Sequence, residues 1–129
     1  MSDQLERTKA RLAEQWTREL ALQPFEILEI ALLDAMGSPL PGGVLRLGVG
    51  SVDRVVIYPR QIMRAAVLSD AAGVVICHNH PSGNTQPTGR DRDATRMVYL
   101  AGVTLDIQLV DHMIVSTNGA WSFREQGLL

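Results

Sequence analysis

The strongest constraint on the fold lies at residues 71–79. Val74-Val75-Ile76 is a continuous apolar run followed closely by His78-Asn79-His80. Such a run has no polar face to turn toward water, so it reads as a strand buried on both sides. A sheet that holds a strand of this kind is covered on both faces, as in α/β chains.

The surrounding pattern supplies helices as well as strands. Leu5, Leu12, Trp16 and Leu20 recur at helical intervals with Arg and Glu between them, predicting an amphipathic helix over 4–21 that Pro24 helps to end. Asp3 and Glu6 have the N-cap and N3 spacing of a capping box. Strands are predicted over 25–33, 40–47 and 51–58. They are separated by the turn composition Asp34-Ala35-Met36-Gly37 and by Gly48 and Gly50. A helix over 60–68 follows Pro59, and a loop over 81–90 follows the buried strand. The spacing of Ala94, Met97, Val98 and Ala101 predicts a helix over 89–101 that stops at Gly102. Two strands, 104–110 and 112–116, and a short segment over 120–123 complete the chain. Helices alternate with strands, so the class is α/β or mixed α+β. With 129 residues and no internal repeat or linker, one domain is expected.

Composition narrows the chemistry. One Cys excludes a disulfide framework and Cys-rich zinc fingers within a single chain. Twelve basic against fourteen acidic side chains give a net charge of −2, which argues against autonomous, phosphate-driven binding of nucleic acid. No apolar run approaches a membrane span, and Met1-Ser2-Asp3-Gln4 opens without a signal-peptide apolar region. A cytoplasmic chain with no membrane partner is therefore expected.

Two of the three histidines carry the functional signal. On a strand, His78 and His80 project from one face while Cys77 and Asn79 face away. The loop then allows Asp91 to swing back toward the pair. Two imidazoles and a carboxylate suit zinc and leave a fourth position for water. Thr88 and Asp91 have an equally good structural reading, because Thr at N-cap with an acid at N3 opens a helix without any metal. Cys77 reads as a small buried hydrophobe and Ser82 as a residue that orders its turn.

The spacing His-x-His, seven residues, Thr, two residues, Asp, formed by His78, His80, Thr88 and Asp91, resembles that of the JAMM zinc metalloproteases of the JAB/MPN fold. His78-Asn79-His80-Pro81-Ser82-Gly83, Tyr58-Pro59-Arg60, Val110-Asp111-His112 and Ser122-Phe123 are similar to the RadC branch of that family. The resemblance covers roughly residues 25–127. It implies a JAB/MPN-type domain over 25–129, preceded by the amphipathic helix within 1–24. That domain would have a cytidine-deaminase-like central mixed sheet flanked by helices. Longer RadC-like chains carry an N-terminal helix-hairpin-helix region, so a stand-alone domain without it is expected here.

The resemblance also assigns roles. His78, His80 and Asp91 would hold Zn²⁺. A glutamate near the start of the strand ending in Leu33-Asp34 would act as general base, and counting back selects Glu26 over Glu29. Thr88, where most relatives have Ser, would donate to the oxyanion; Asn79 and Ser82 would support the site. The implied activity is a metallopeptidase or isopeptidase acting on a protein or peptide, with ubiquitin-like tails as one substrate class. The alternatives are a repair-associated protein binding DNA or a repair partner, and a non-catalytic scaffold. The apolar stripe of the first helix could meet either the chain's own core or a second copy in a homodimer.

Overall fold

The computed structural model describes residues 2–129, and Met1 lies outside it. The elements are α1 (Asp3–Leu20), β1 (Ile27–Leu33), β2 (Pro39–Val49), α2 (Pro59–Leu68), β3 (Gly73–Asn79), α3 (Gly89–Leu105), β4 (Gln108–Ser116) and β5 (Gly119–Ser122). The strands form one mixed sheet in the order β2-β1-β3-β4-β5. Among the described residues, only β3 and β4 pair in parallel. Parallel neighbours cannot be joined by a hairpin, and α3 supplies the crossover between them.

The central strands β1 and β3 are buried along their whole length, and their alternate residues serve two cores. Leu28, Ile30, Leu32, Val74 and Ile76 pack with Ile62, Met63 and Ala66 of α2 and Val98 of α3. Ile27, Ala31, Leu33, Val75 and Cys77 pack with Leu12, Trp16 and Leu20 of α1. Each fully buried aliphatic side chain contributes roughly 1.5–3 kcal/mol, which explains why neither face of these strands carries a free polar run. The stripe of α1 is thus spent on the chain's own sheet. A buried ion pair, Lys9 Nζ to Asp111 Oδ2 at 3.1 Å, fastens the helix to β4. The Ser122 hydroxyl and the Arg124 N–H also donate to the Asp111 carboxylate. Among the described residues, no helix is long and apolar enough to cross a membrane.

Four local expectations are corrected. The α1 cap is Ser2, whose hydroxyl accepts from Leu5 N at 3.1 Å. Asp3 and Glu6 lie instead in the first turn, where their charge favours the positive helix end. Residues 51–58 are irregular despite their β-branched composition. The chain leaves the sheet at Gly50, where a Cβ would sit 2.1 Å from the Arg54 carbonyl oxygen. The Ser51 N–H then donates to that carbonyl at 2.8 Å, folding the segment across the sheet end. Helix α3 continues past Gly102 to Leu105, because the missing Cβ at Gly102 admits the Ile107 carbonyl and Asp106 takes the left-handed cap at φ 58°. Finally, β4 is one strand. Its expected break at Asp111 is absorbed as a register irregularity opposite Val74 and Val75, with the carboxylate satisfied inside.

Candidate metal centre

Period-two alternation decides which carboxylate of the first strand meets the histidines. Glu29 shares a face with Ile27 and Ala31 and points toward α1. There it accepts from Trp16 Nε1 at 3.1 Å and pairs with Arg46 Nε at 2.9 Å. Glu26 shares the parity of Leu28 and lies on the opposite face, with His78. Ligand atoms of Glu26, His78 and His80 all fall within 4.8 Å of one another, and all three residues are buried.

Asp91 reaches the same point from the start of α3. Its Oδ1 lies 3.4 Å from His78 Nε2 and its Oδ2 lies 3.3 Å from His80 Nε2. It also forms the capping box, accepting from Thr88 N at 2.9 Å while its own N–H donates to Thr88 Oγ1 at 3.1 Å. The structural and chemical readings of Asp91 are therefore compatible: the cap fixes the carboxylate that faces the imidazoles.

Hydrogen-bond directions settle which ring nitrogens are free. His80 Nδ1 stands 2.6 Å from the Asn84 carbonyl oxygen. A carbonyl only accepts, so Nδ1 carries the proton and Nε2 of the neutral ring is a lone pair. The Thr95 hydroxyl donates to the Asp91 carbonyl at 2.6 Å, so Thr95 Oγ1 accepts from His112 Nδ1 at 2.7 Å. His112 Nε2 is then an acceptor, and His78 Nδ1 donates to it at 2.8 Å. This leaves His78 Nε2 as a lone pair too, 3.0 Å from His80 Nε2. With both rings neutral, two imidazole lone pairs and an ionised carboxylate thus converge on one point. Such a donor set repels itself unless a cation lies among the groups, and it fits a divalent metal of the zinc kind.

The electrostatics separate the two carboxyls. Burial pushes the Glu26 carboxyl up to about 7. His80 and the Val55 N–H oppose that rise, while Asp91 and Asp53 add to it. Burial opposes ionisation of Asp91 as well. The neighbouring His78 and His80 rings and the Thr88 N–H outweigh it and hold this carboxyl well below the usual range. Burial also lowers His78, and lowers His112 strongly, keeping both rings neutral. For His80, burial is outweighed by Asp91 and the Asn84 carbonyl, and its pKa is raised.

A pH dependence follows for the metal-free protein. A carboxyl whose folded pKa is raised binds its proton more tightly in the folded state. The fold therefore loses stability as pH climbs from the ordinary 4.5 through about 7. Glu26→Gln is expected to remove this slope and to stabilise chelator-treated protein by about 1–3 kcal/mol at about pH 8, with little gain at about pH 5. Urea melts at both values check it; an equal gain at each would count against the assignment.

The remaining residues support the centre. Asn79 accepts from Ile27 N at 2.7 Å and donates to the Phe25 carbonyl at 3.0 Å, bracketing Glu26 between two backbone contacts. Ser82 Oγ accepts from Asn84 N at 3.2 Å, steadying the loop that presents the Asn84 carbonyl to His80. Gly83, at φ 89°, offers its carbonyl to Ser116 Oγ and Asn118 Nδ2, pinning the loop to the β4–β5 hairpin. Cys77 faces α1, and burial followed by nearby Glu29 raises its thiol. Thr95 escaped sequence reasoning, since it sits on α3 with no distinguishing spacing. From sequence, His112 reads either as a residue supporting the site or, more simply, as a satisfied turn histidine, and its contacts decide for the first. His112 also stacks on Phe123, with ring centroids 4.6 Å apart and planes within 6°.

Relatives place this chain in a family. A UPF0758 protein of Thermotoga maritima is 40% identical over 115 residues, covering 89% of this chain and 51% of its own length. UPF0758 proteins of Shewanella baltica and Burkholderia vietnamiensis are 36% and 37% identical over 110 residues. Each match covers 85% of this chain, with 48% and 42% of the respective relative. The chain spans about half the length of the curated relatives it matches. The family model described as "RadC-like JAB domain" matches residues 6–128, so most of α1 falls within the matched region together with the sheet. The chain belongs to the RadC-like JAB domain family.

Proposed function

We propose that this domain is a zinc-dependent hydrolase of amide bonds, cleaving peptide or isopeptide linkages in a protein substrate. The observation that carries the reading is the convergence of the His78 and His80 lone pairs with the Asp91 carboxylate beside Glu26. His78, His80 and Asp91 would hold the ion. When bound, zinc supplies a water of lowered pKa and polarises the scissile carbonyl.

The chain's own groups do the rest. Asp91, held ionised, is suited to be a ligand. Glu26, with a carboxyl near 7 in the metal-free site, is suited to take a proton from the attacking water and return it to the leaving amine. The Thr88 hydroxyl accepts from the Asp91 N–H, so its own proton is free to donate to a developing oxyanion, which is worth about 3 kcal/mol where such a donor acts. Fusions carrying ubiquitin-like tails are the substrate class to assay first. Purified protein is expected to retain about one zinc per chain and to lose cleavage on chelation, with recovery on re-addition of zinc. Absence of bound metal from folded protein prepared in metal-replete medium would sink the proposal.

A further inference from the structure

A concavity of about 1040 Å³ lies between the end of β2, the irregular segment 51–58 and α2. Arg54 lines it from the segment, and Arg60 and Arg64 line it from one face of α2. No carboxylate is among its lining residues. Among the described residues none of these three guanidinium groups is ion-paired. That is unexpected in a chain whose acidic side chains outnumber its basic ones. A cleft lined by one sign of charge against a low-dielectric wall focuses its field on an incoming ligand of the opposite sign.

The cleft adjoins a hollow beside the candidate centre. Arg54, Val55 and Val56 line the cleft on one side and on the other line this hollow, of about 550 Å³, which reaches Thr88 and Asp91. Val55 also turns its N–H toward Glu26. An extended chain lying along the arginines would cross this segment to reach the candidate site. The walls are partly apolar, with Val49, Val56 and Tyr58 exposed along them.

We propose that this arginine-lined cleft binds an acidic stretch of the polypeptide whose amide bond is cleaved next door. Guanidinium forks match carboxylates in a bidentate geometry, and the apolar walls take up the intervening side chains. A polynucleotide is the less suitable polyanion, because the chain as a whole carries −2 and would repel a long phosphate backbone. The proposal rests on the hydrolase reading only in calling the bound chain a substrate; the binding itself does not need the metal.

The test is fluorescence anisotropy on the full chain treated with chelator. The probes are a labelled Asp/Glu-rich peptide, its Asn/Gln counterpart and a thymidine oligonucleotide of equal length. The acidic peptide is expected to bind at least about tenfold more tightly than its neutral counterpart, with a preference that shrinks as salt rises. Arg60→Gln with Arg64→Gln should abolish the preference, whereas Arg7→Gln with Arg11→Gln on exposed α1 should not. All four positions are exposed, and circular dichroism melts check that the folds match. A preference below about tenfold in the parent chain overturns the proposal. So does tighter binding of the oligonucleotide that is lost in the same α2 variant. Acidic-peptide binding without any cleavage by zinc-loaded protein would support the cleft and count against the hydrolase. Cleavage that ignores acidic residues would do the reverse.

Discussion

Glu26→Gln is expected to lower amide turnover by about 10²–10⁴-fold while leaving zinc content unchanged. The amide is close to isosteric and can still accept the Val55 N–H that faces this position, so local packing is kept. What disappears is a group able to hold and release a proton near neutral pH. Because Glu26 lies within 4.8 Å of both imidazole ligand atoms, the same variant also asks whether it belongs to the coordination sphere. Loss of zinc along with activity would make Glu26 a ligand rather than a base. Loss of activity in kcat with zinc retained supports the base. Steady-state kinetics combined with metal analysis on one preparation separates the two, and unchanged kcat would refute both.

The features legible in the sequence were those with a short period or a short span. The doubly buried strand around Val74-Val75-Ile76 follows from the absence of any polar residue in the run, and the sheet indeed has helices on both faces. The opposition of Glu26 and Glu29 follows from alternation alone. What the sequence concealed depends on contacts, near and far along the chain, that only the folded backbone makes. Residues 51–58 have strand composition, yet their backbone is engaged by a turn and by the sheet end. Gly102 looks like a stop, and only the approach of the Ile107 carbonyl shows why a glycine belongs inside α3. Asp111 looks like a break, and it stays inside β4 because Lys9 of α1, the Ser122 hydroxyl and the Arg124 N–H meet its carboxylate there. At the candidate centre, the ligating residue types and their spacing were visible. The protons on the ring nitrogens were not, since they are set by Asn84, Thr95 and His112, which are related to His78 and His80 through the fold.

The last of these gives the second large effect. His112→Phe is expected to weaken zinc binding by about 10–100-fold, the usual consequence of losing the partner that orients a ligating imidazole. Phe can fill the slot and keep the stack on Phe123, but it offers no acceptor to His78 Nδ1 and no donor to Thr95 Oγ1. Leaving the buried His78 N–H unpaired costs about 1–3 kcal/mol, while Thr95 Oγ1 keeps its donation to the Asp91 carbonyl. The substitution also frees the His78 ring to place its proton on Nε2, the atom that faces Asp91 and His80. His112→Gln carries one acceptor and a donor on a similar frame, so it should recover part of the affinity that Phe loses. A purely packing role predicts the opposite order, since Phe replaces the ring better than Gln does. Competition titration against a chelating dye gives the affinities, and long-range ¹⁵N–¹H correlation spectra of metal-free protein report the His78 tautomer directly. The parent should show the proton on Nδ1 and the Phe variant a mixture. An unchanged His78 spectrum with unchanged affinity would show that the chain from Thr95 through His112 does not set the ligand.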